Sequence, residues 1–308
     1  MKYLSVIFSI IFTFFLLEIF TRLVVDNGMN YEIEMQKYAN NLKKISSNTK
    51  IGIEHKKNKK IVLMGAQINL SSNGFRTEAE LDSNKEKILM LGDSMTFGWG
   101  ASKPFANLLN DEIKKFDVIN AGIGNTNTIM QIENFFTNHK ELFKYKMIVL
   151  NFFINDFEEV KINKANVIEK YSYLYTFIYS KINYLLIKYK LTDDWKKFYT
   201  KSFYNDEFKD ETFNRILDLK NFCNQNNIRF VIHNIPELRN LKKYNFSDET
   251  KLIKKFSKEN DIEFINSYEV LKNYEEESLW VTNQDSHAND KAHKIIFQFL
   301  AKHFSEYR

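Results

Sequence analysis

Hydrophobic and polar positions along this chain follow two regimes. Residues 3–25 (YLSVIFSIIFTFFLLEIFTRLVV) are predominantly apolar, with Glu18 and Arg22 as the only charges. As a helix that run is about 34 Å long, enough to cross a bilayer with some tilt. The i, i+4 spacing of Glu18 and Arg22 lets the two pair near one membrane face. A buried amino-terminal helix is the alternative. From Lys87 onward, short apolar runs alternate with amphipathic stretches. Strands are predicted at 88–91, 117–120, 147–153, 229–234 and 262–266. Helices are predicted at 105–115, 128–143, 211–226, 248–259 and 291–304. Such alternation implies a parallel sheet with helices on both faces.

Between the two regimes, residues 26–86 read as a polar stem. Its elements are a short amphipathic helix at 31–44, a solvated basic run at 56–60 and a hairpin over 61–76 with Asn73-Gly74 as its turn. The expected organisation is an anchor at 1–25, the stem at 26–86 and an α/β domain at 87–308. No small-x-small cleavage site follows the apolar run, so an uncleaved anchor is expected rather than a removed signal peptide. Lys2 precedes the run while Asp26, Glu32 and Glu34 follow it, which places the amino end inside and the body outside. The connection over 158–209 is too long for a compact α/β unit. Its centre, YSYLYTFIYSKINYLLIKYK, has helical spacing and is dense in tyrosine. It reads as a lid, as a surface resting on a membrane, or as simple packing.

Composition narrows the class. With 44% hydrophobic and 15% aromatic residues the chain is globular rather than disordered. Two prolines, nine glycines and many Lys and Asn residues indicate a coding bias, so the lysines carry little functional weight. The net charge of +5 is spread out, without a basic stripe, so nucleic acid is not an expected partner. The single cysteine, Cys223, excludes an internal disulfide and a cysteine-based zinc site. It falls in an amphipathic run (FNRILDLKNFCNQ) that suits a buried structural thiol.

Candidate chemistry gathers where the predicted strands end. KILMLGDSMTFGWG (87–100) carries Ser94 just beyond the first strand of the alternating region, at the sheet edge where open α/β folds bind ligands. The second strand runs into NAGIGNTNT (120–128) and the third into NFFINDFEE (151–159), while QDSHANDKAH (284–293) precedes the last helix. A serine, a side-chain amide, glycine-rich backbone and a histidine after an aspartate are the parts ester cleavage needs. In these four blocks and their order the chain resembles the SGNH (GDSL-type) hydrolases from about Lys87 to the carboxyl end, and the INLSSNGFR phrase resembles membrane-anchored bacterial members. The resemblance implies a three-layer α/β/α flavodoxin-like fold with a five-stranded parallel sheet, here with an N-terminal transmembrane helix. It implies Ser94 as nucleophile and backbone oxyanion donor, Asn155 as amide donor, His287 as general base and Asp285 as its orienting partner. It implies no cofactor and no metal.

Three positions depart from the family pattern. Asn125 stands where a second glycine commonly donates to the oxyanion, with Gly124 just before it, and both are candidates. Phe153 replaces a glycine before the block-three asparagine and narrows the expected acyl pocket. Gln284 occupies the usual aspartate position, three before His287. Asp290 with His293 is a rival pair with the literal D-x-x-H spacing. Asp93 and Asp156 are of the type that binds Mg²⁺ at strand ends, but no further carboxylates cluster with them in the sequence. The expected activity is that of a membrane-anchored extracytoplasmic serine esterase or O-acyltransferase. Its expected substrates are O-acyl, chiefly acetyl, groups of envelope or extracellular polysaccharide. A lipid-directed esterase and a non-catalytic scaffold are the alternatives.

Overall fold

The computed structural model describes residues 2–77, 81–82, 84–162 and 164–307. The apolar run forms helix α1 (Lys2–Phe20), continued by a π turn at Thr21–Val25. A helix α2 (Tyr31–Leu42) follows, started by the Asn30 side chain, which accepts the Ile33 N–H. Two small antiparallel pairs come next. They are β1 (Lys43–Ile45) with β2 (Ile53–His55), and β3 (Lys59–Leu63) with β4 (Ala66–Leu70).

The second hairpin corrects the sequence expectation. Its turn is Met64-Gly65, with φ of 48° and 71°, and Leu63 pairs directly with Ala66. Asn73-Gly74 instead closes a tight loop in which the Gly74 N–H donates to the Ser71 carbonyl at 3.0 Å. Burial decides between them. Met64 is covered by the cluster that includes Tyr38, Leu42 and Trp99, and its N–H donates to the Glu34 carboxylate at 2.9 Å.

The parallel sheet uses β5 (Lys87–Leu91), β6 (Asp117–Asn120), β7 (Tyr145–Phe152), β8 (Arg229–Asn234) and β9 (Glu263–Asn266). Its order is β6-β5-β7-β8-β9, every pair parallel. This is the flavodoxin-like order, with its switch point beside β5. β5 is buried along its whole length, as expected for a strand covered on both faces. The helices that follow β5 along the chain are α3 (Ser94–Phe97), α4 (Phe105–Glu112) and α5 (Thr128–Asn134), then α6 (Val167–Tyr171), α7 (Tyr173–Lys188), α8 (Trp195–Phe203) and α9 (Asp206–Gln225). They are completed by α10 (Ser247–Glu259), α11 (Tyr268–Leu271) and α12 (Asp290–His303). Cys223 lies buried on α9. Just before α12 a short hairpin pairs β10 (Trp280–Thr282) with β11 (Asp285–Ala288). Sequence periodicity does not signal that hairpin, and it carries part of the site.

The segment before the sheet packs against it. Tyr38 lies between Phe97 and Trp99, with ring centroids 5.1 and 5.6 Å away. Arg76 is buried, and its guanidinium donates to the carbonyls of Phe97 (2.9 Å), Gly98 (2.6 Å) and Ala101 (2.7 Å), fastening the loop after α3.

Candidate active site

β5 delivers the chain to Gly92-Asp93-Ser94 at the carboxyl edge of the sheet. Asp93 caps α3 by accepting the Met95 N–H at 2.8 Å, which sets Ser94 as the first residue of the helix with its hydroxyl at the rim. The 121–127 loop must come very close to this turn. A Cβ on Gly122 would sit 2.2 Å from the Phe97 nitrogen, so only glycine fits there.

Asp285 and His287 alternate on β11, and residues two apart on a strand share a face. The Ser94 hydroxyl donates to His287 Nε2 at 2.9 Å, and His287 Nδ1–H donates to Asp285 Oδ1 at 2.5 Å. The other Asp285 oxygen accepts the Trp99 Nε1–H at 2.9 Å, so the carboxylate is held from both sides. Tyr31 stacks on the imidazole with centroids 6.0 Å apart. Burial disfavours the charged imidazole, but the Asp285 carboxylate outweighs it, and His287 titrates above its ordinary value. Burial likewise works against the Asp285 charge, and His287 overcomes it, leaving that carboxyl below its usual range.

The rival pair is placed elsewhere. His293 is buried against Phe105, accepts the Phe105 N–H at 3.2 Å, and is pushed by burial down to about 3. Asp290 accepts the Ser102 N–H at 2.7 Å. Both hold the loop into α4, and neither contacts Ser94.

Gly124 and Asn125 also separate. The Gly124 N–H donates to the Tyr38 hydroxyl at 3.0 Å, away from the pocket, and that hydroxyl donates in turn to His55 Nε2 at 2.7 Å. Asn125, at φ 62°, lines the cavity beside Ser94. Asparagine tolerates that left-handed backbone better than most residues. Asn155 reaches the same wall from the turn after β7. Beneath it Asp93 and Asp156 are fully buried. Burial raises both carboxyls, and the Asp93 charge adds to the rise at Asp156. Asp156 accepts the Phe153 N–H (2.7 Å) and the Gln131 amide (2.8 Å), which makes the turn that presents Asn155 rigid.

The cavity above Ser94 measures about 270 Å³. Phe153 and Tyr199 meet edge-on in its wall, 6.4 Å apart, and Tyr31, Met35, Glu158 and Arg239 complete it. Arg239 lies 3.6 Å over the Trp195 ring and pairs with Glu237 at 2.5 Å. Among the described residues no three His, Cys, Asp or Glu side chains cluster in a way that would hold a metal ion.

Sequence reasoning missed Tyr31, Met35, Tyr38, Arg76, Tyr199 and Arg239 as parts of this site. They come from α2, the stem, the insertion and the loop after β8, and no local spacing ties them to the serine. Trp99 lay inside the quoted first block, but its indole contact with Asp285 depends on the fold.

The four sequence blocks thus meet on one rim of a 2-1-3-4-5 sheet. The fold and block order are SGNH-like. No family model and no curated protein matches the chain. Solved structures similar in chain course include a GDSL-like lipase from Bacteroides thetaiotaomicron, 14% identical over 75% of this chain and 93% of that one, with a TM-score of 0.43. A catalytic mutant of an acetylxylan esterase from Geobacillus stearothermophilus is 14% identical over 73% and 95%, with a TM-score of 0.45. The acetyl xylan esterase AlAXEase is 13% identical over 70% and 98%, with a TM-score of 0.44. At this distance no activity follows from them, and the SGNH-like site has to be judged by its own geometry.

Proposed function

We propose that the chain is a membrane-anchored extracytoplasmic serine esterase that cleaves short O-acyl esters, chiefly acetyl groups on carbohydrate, through an acyl-Ser94 intermediate. One observation carries the reading: the continuous hydrogen-bond relay from the Ser94 hydroxyl through His287 to Asp285. A serine hydroxyl at its own pKa is a poor nucleophile, and a neutral imidazole at 2.9 Å is placed to take its proton as the oxygen attacks. Asp285 fixes the tautomer with Nε2 free to accept and stabilises the imidazolium that forms. The carbonyl oxygen gains negative charge facing the Ser94 N–H, the Asn125 N–H and the Asn155 amide. Of the two loop candidates we assign Asn125, because the Gly124 N–H is taken by Tyr38. Collapse of the tetrahedral species breaks the ester C–O bond, and the His287 proton leaves on the alcohol. A water molecule, or a second hydroxyl in the transferase case, then attacks the acyl-serine while His287 takes its proton, and Ser94 is released.

The small cavity favours short acyl groups, since Phe153 and Tyr199 close the wall where a long chain would run. The apolar helix over Tyr3–Val25 supports anchoring, and the charges flanking it support an outward-facing body. A fluorophosphonate probe tests the chemistry. It is expected to label the wild type on the Ser94 peptide and to leave a folded Ser94→Ala variant unlabelled. An unlabelled but folded wild type would reject the esterase in favour of a scaffold. Among p-nitrophenyl esters, acetyl is expected to turn over fastest, and a preference for long chains would overturn the acyl assignment.

A further inference from the structure

The insertion between β7 and β8 has two halves in opposite surroundings. α8 turns inward, burying Phe203 and giving Tyr199 to the cavity. α6 and α7 have no buried residue at all. Tyr175, Ile178, Tyr179, Ile182, Tyr184 and Leu185 all face outward, Tyr179 being 56% and Ile182 51% exposed. A 16-residue helix that is apolar or aromatic around its surface is a buried or lipid-facing element in ordinary proteins.

Its attachment shows what covers it. The Glu18 carboxylate of α1 accepts the Tyr173 and Leu174 N–H groups at 3.0 Å each and the Ser172 hydroxyl at 2.7 Å. These are orphan donors at the start of α7. Arg22 pairs with Glu18 at 2.7 Å, donates to the Tyr171 carbonyl and lies 4.0 Å over the Tyr173 ring. Both charges in the apolar run are thus spent on holding this helix where α1 ends. Between them runs an apolar groove of about 620 Å³, lined by Phe14 and Phe15 of α1 and by Ile168, Leu174 and Ile178 of the insertion. The lipid-compatible surface of α1 therefore continues without a break onto α7. Tyrosines and lysines mix along α7 and just beyond it, at Lys181, Tyr184, Lys188 and Tyr189, the composition that settles at a membrane–water boundary.

We propose that α6 and α7 are a membrane-interface element, embedded among lipids beside the exit of α1, with lipid acyl chains filling the groove. The inference rests on the reading of α1 as a membrane span and goes beyond it. It also bears on substrate. On α2, Gln36 donates to the Glu169 carbonyl at 2.8 Å and to the Thr176 hydroxyl at 2.9 Å, and the same helix places Tyr31 and Met35 in the cavity wall. The site is thereby tied to the lipid surface, which suits esters displayed close to the membrane.

The test uses the full chain in phosphatidylcholine–phosphatidylglycerol vesicles, with a spin label at Ile182→Cys, Ile10→Cys or Lys254→Cys. Collision rates with oxygen and with a nickel chelate are then compared. The expected result is an oxygen-to-nickel ratio at 182 several-fold above that at 254, the exposed control on α10. Label 182 in water with label 10 in lipid overturns the interface element and leaves the anchor standing. Both labels in water overturn the anchor reading, and this inference with it. Poor access to both reagents at 182 with dipolar broadening, the mark of a second copy covering α7, also overturns it.

Discussion

At His287 two forces oppose each other, and their balance is open to measurement. Burial alone would pull the imidazole below about 6.5, but Asp285 holds it above that value. Only the neutral ring accepts the serine proton, so turnover of a soluble ester is expected to rise with pH, its midpoint above the ordinary imidazole value. Removing the charge while keeping the shape should reverse the shift. Asp285→Asn is expected to move the midpoint down and to lower kcat by about 10⁴-fold as the tautomer is lost. A pH–rate profile of both proteins checks this, and a flat wild-type profile between about pH 5 and 8 would remove His287 as the base. Arg76 offers a second test. Its guanidinium binds three carbonyls around the loop after α3, a fork that an ammonium cannot reproduce. Arg76→Lys is expected to cost about 2 kcal/mol in a denaturant titration and to lower kcat more than it raises KM.

Among the elements, legibility in the sequence followed how local each interaction is. The five sheet strands appear as apolar runs because burial on both faces demands it, as in Ile88–Leu91 of β5, with polar positions such as Lys87 and Asp117 paired to each other at 2.8 Å. The serine and amide blocks are readable because each sits where a strand ends, and the histidine block because it directly precedes the last helix. The Met64-Gly65 turn was not readable, since Asn73-Gly74 has the better local chemistry and only contact with α2 decides the matter. α9 starts at Asp206, earlier than its apolar periodicity suggests, because Asn205 caps it with a side-chain oxygen accepting the Phe208 N–H. His293 shows the limit of spacing as a guide. It fits the D-x-x-H pattern but serves as a packing residue that accepts a backbone N–H at the start of α4. His293→Ala is therefore expected to destabilise the fold by about 2 kcal/mol while sparing most activity. His287→Ala should do the opposite, and thermal melts with single-substrate kinetics on both variants tell them apart.

Over the whole molecule, the buried histidines contribute a loss of stability in acid, which the raised Asp93 and Asp156 carboxyls oppose. His55, His233 and His293 are fully buried and pushed down to about 3, and His139 to about 4, burial being the main cause in each. The folded state keeps these rings neutral, whereas the unfolded chain protonates them below about pH 6.5. Stability is thus fully present above that pH and is lost as pH falls toward 3, by about 2 kcal/mol per fully buried ring at pH 5. A Tm that falls steeply from pH 7 to pH 5, and less so in His233→Gln, is the expected outcome.

The position of α2 has a practical side. Trimming the chain to a sheet-only fragment, the usual route to soluble protein, would strip the ring stacked on the imidazole and the hydroxyl that seats the glycine loop. Such a fragment should keep its serine relay yet lose one side of its cavity. Weak turnover by it would describe the trimming rather than the intact chain.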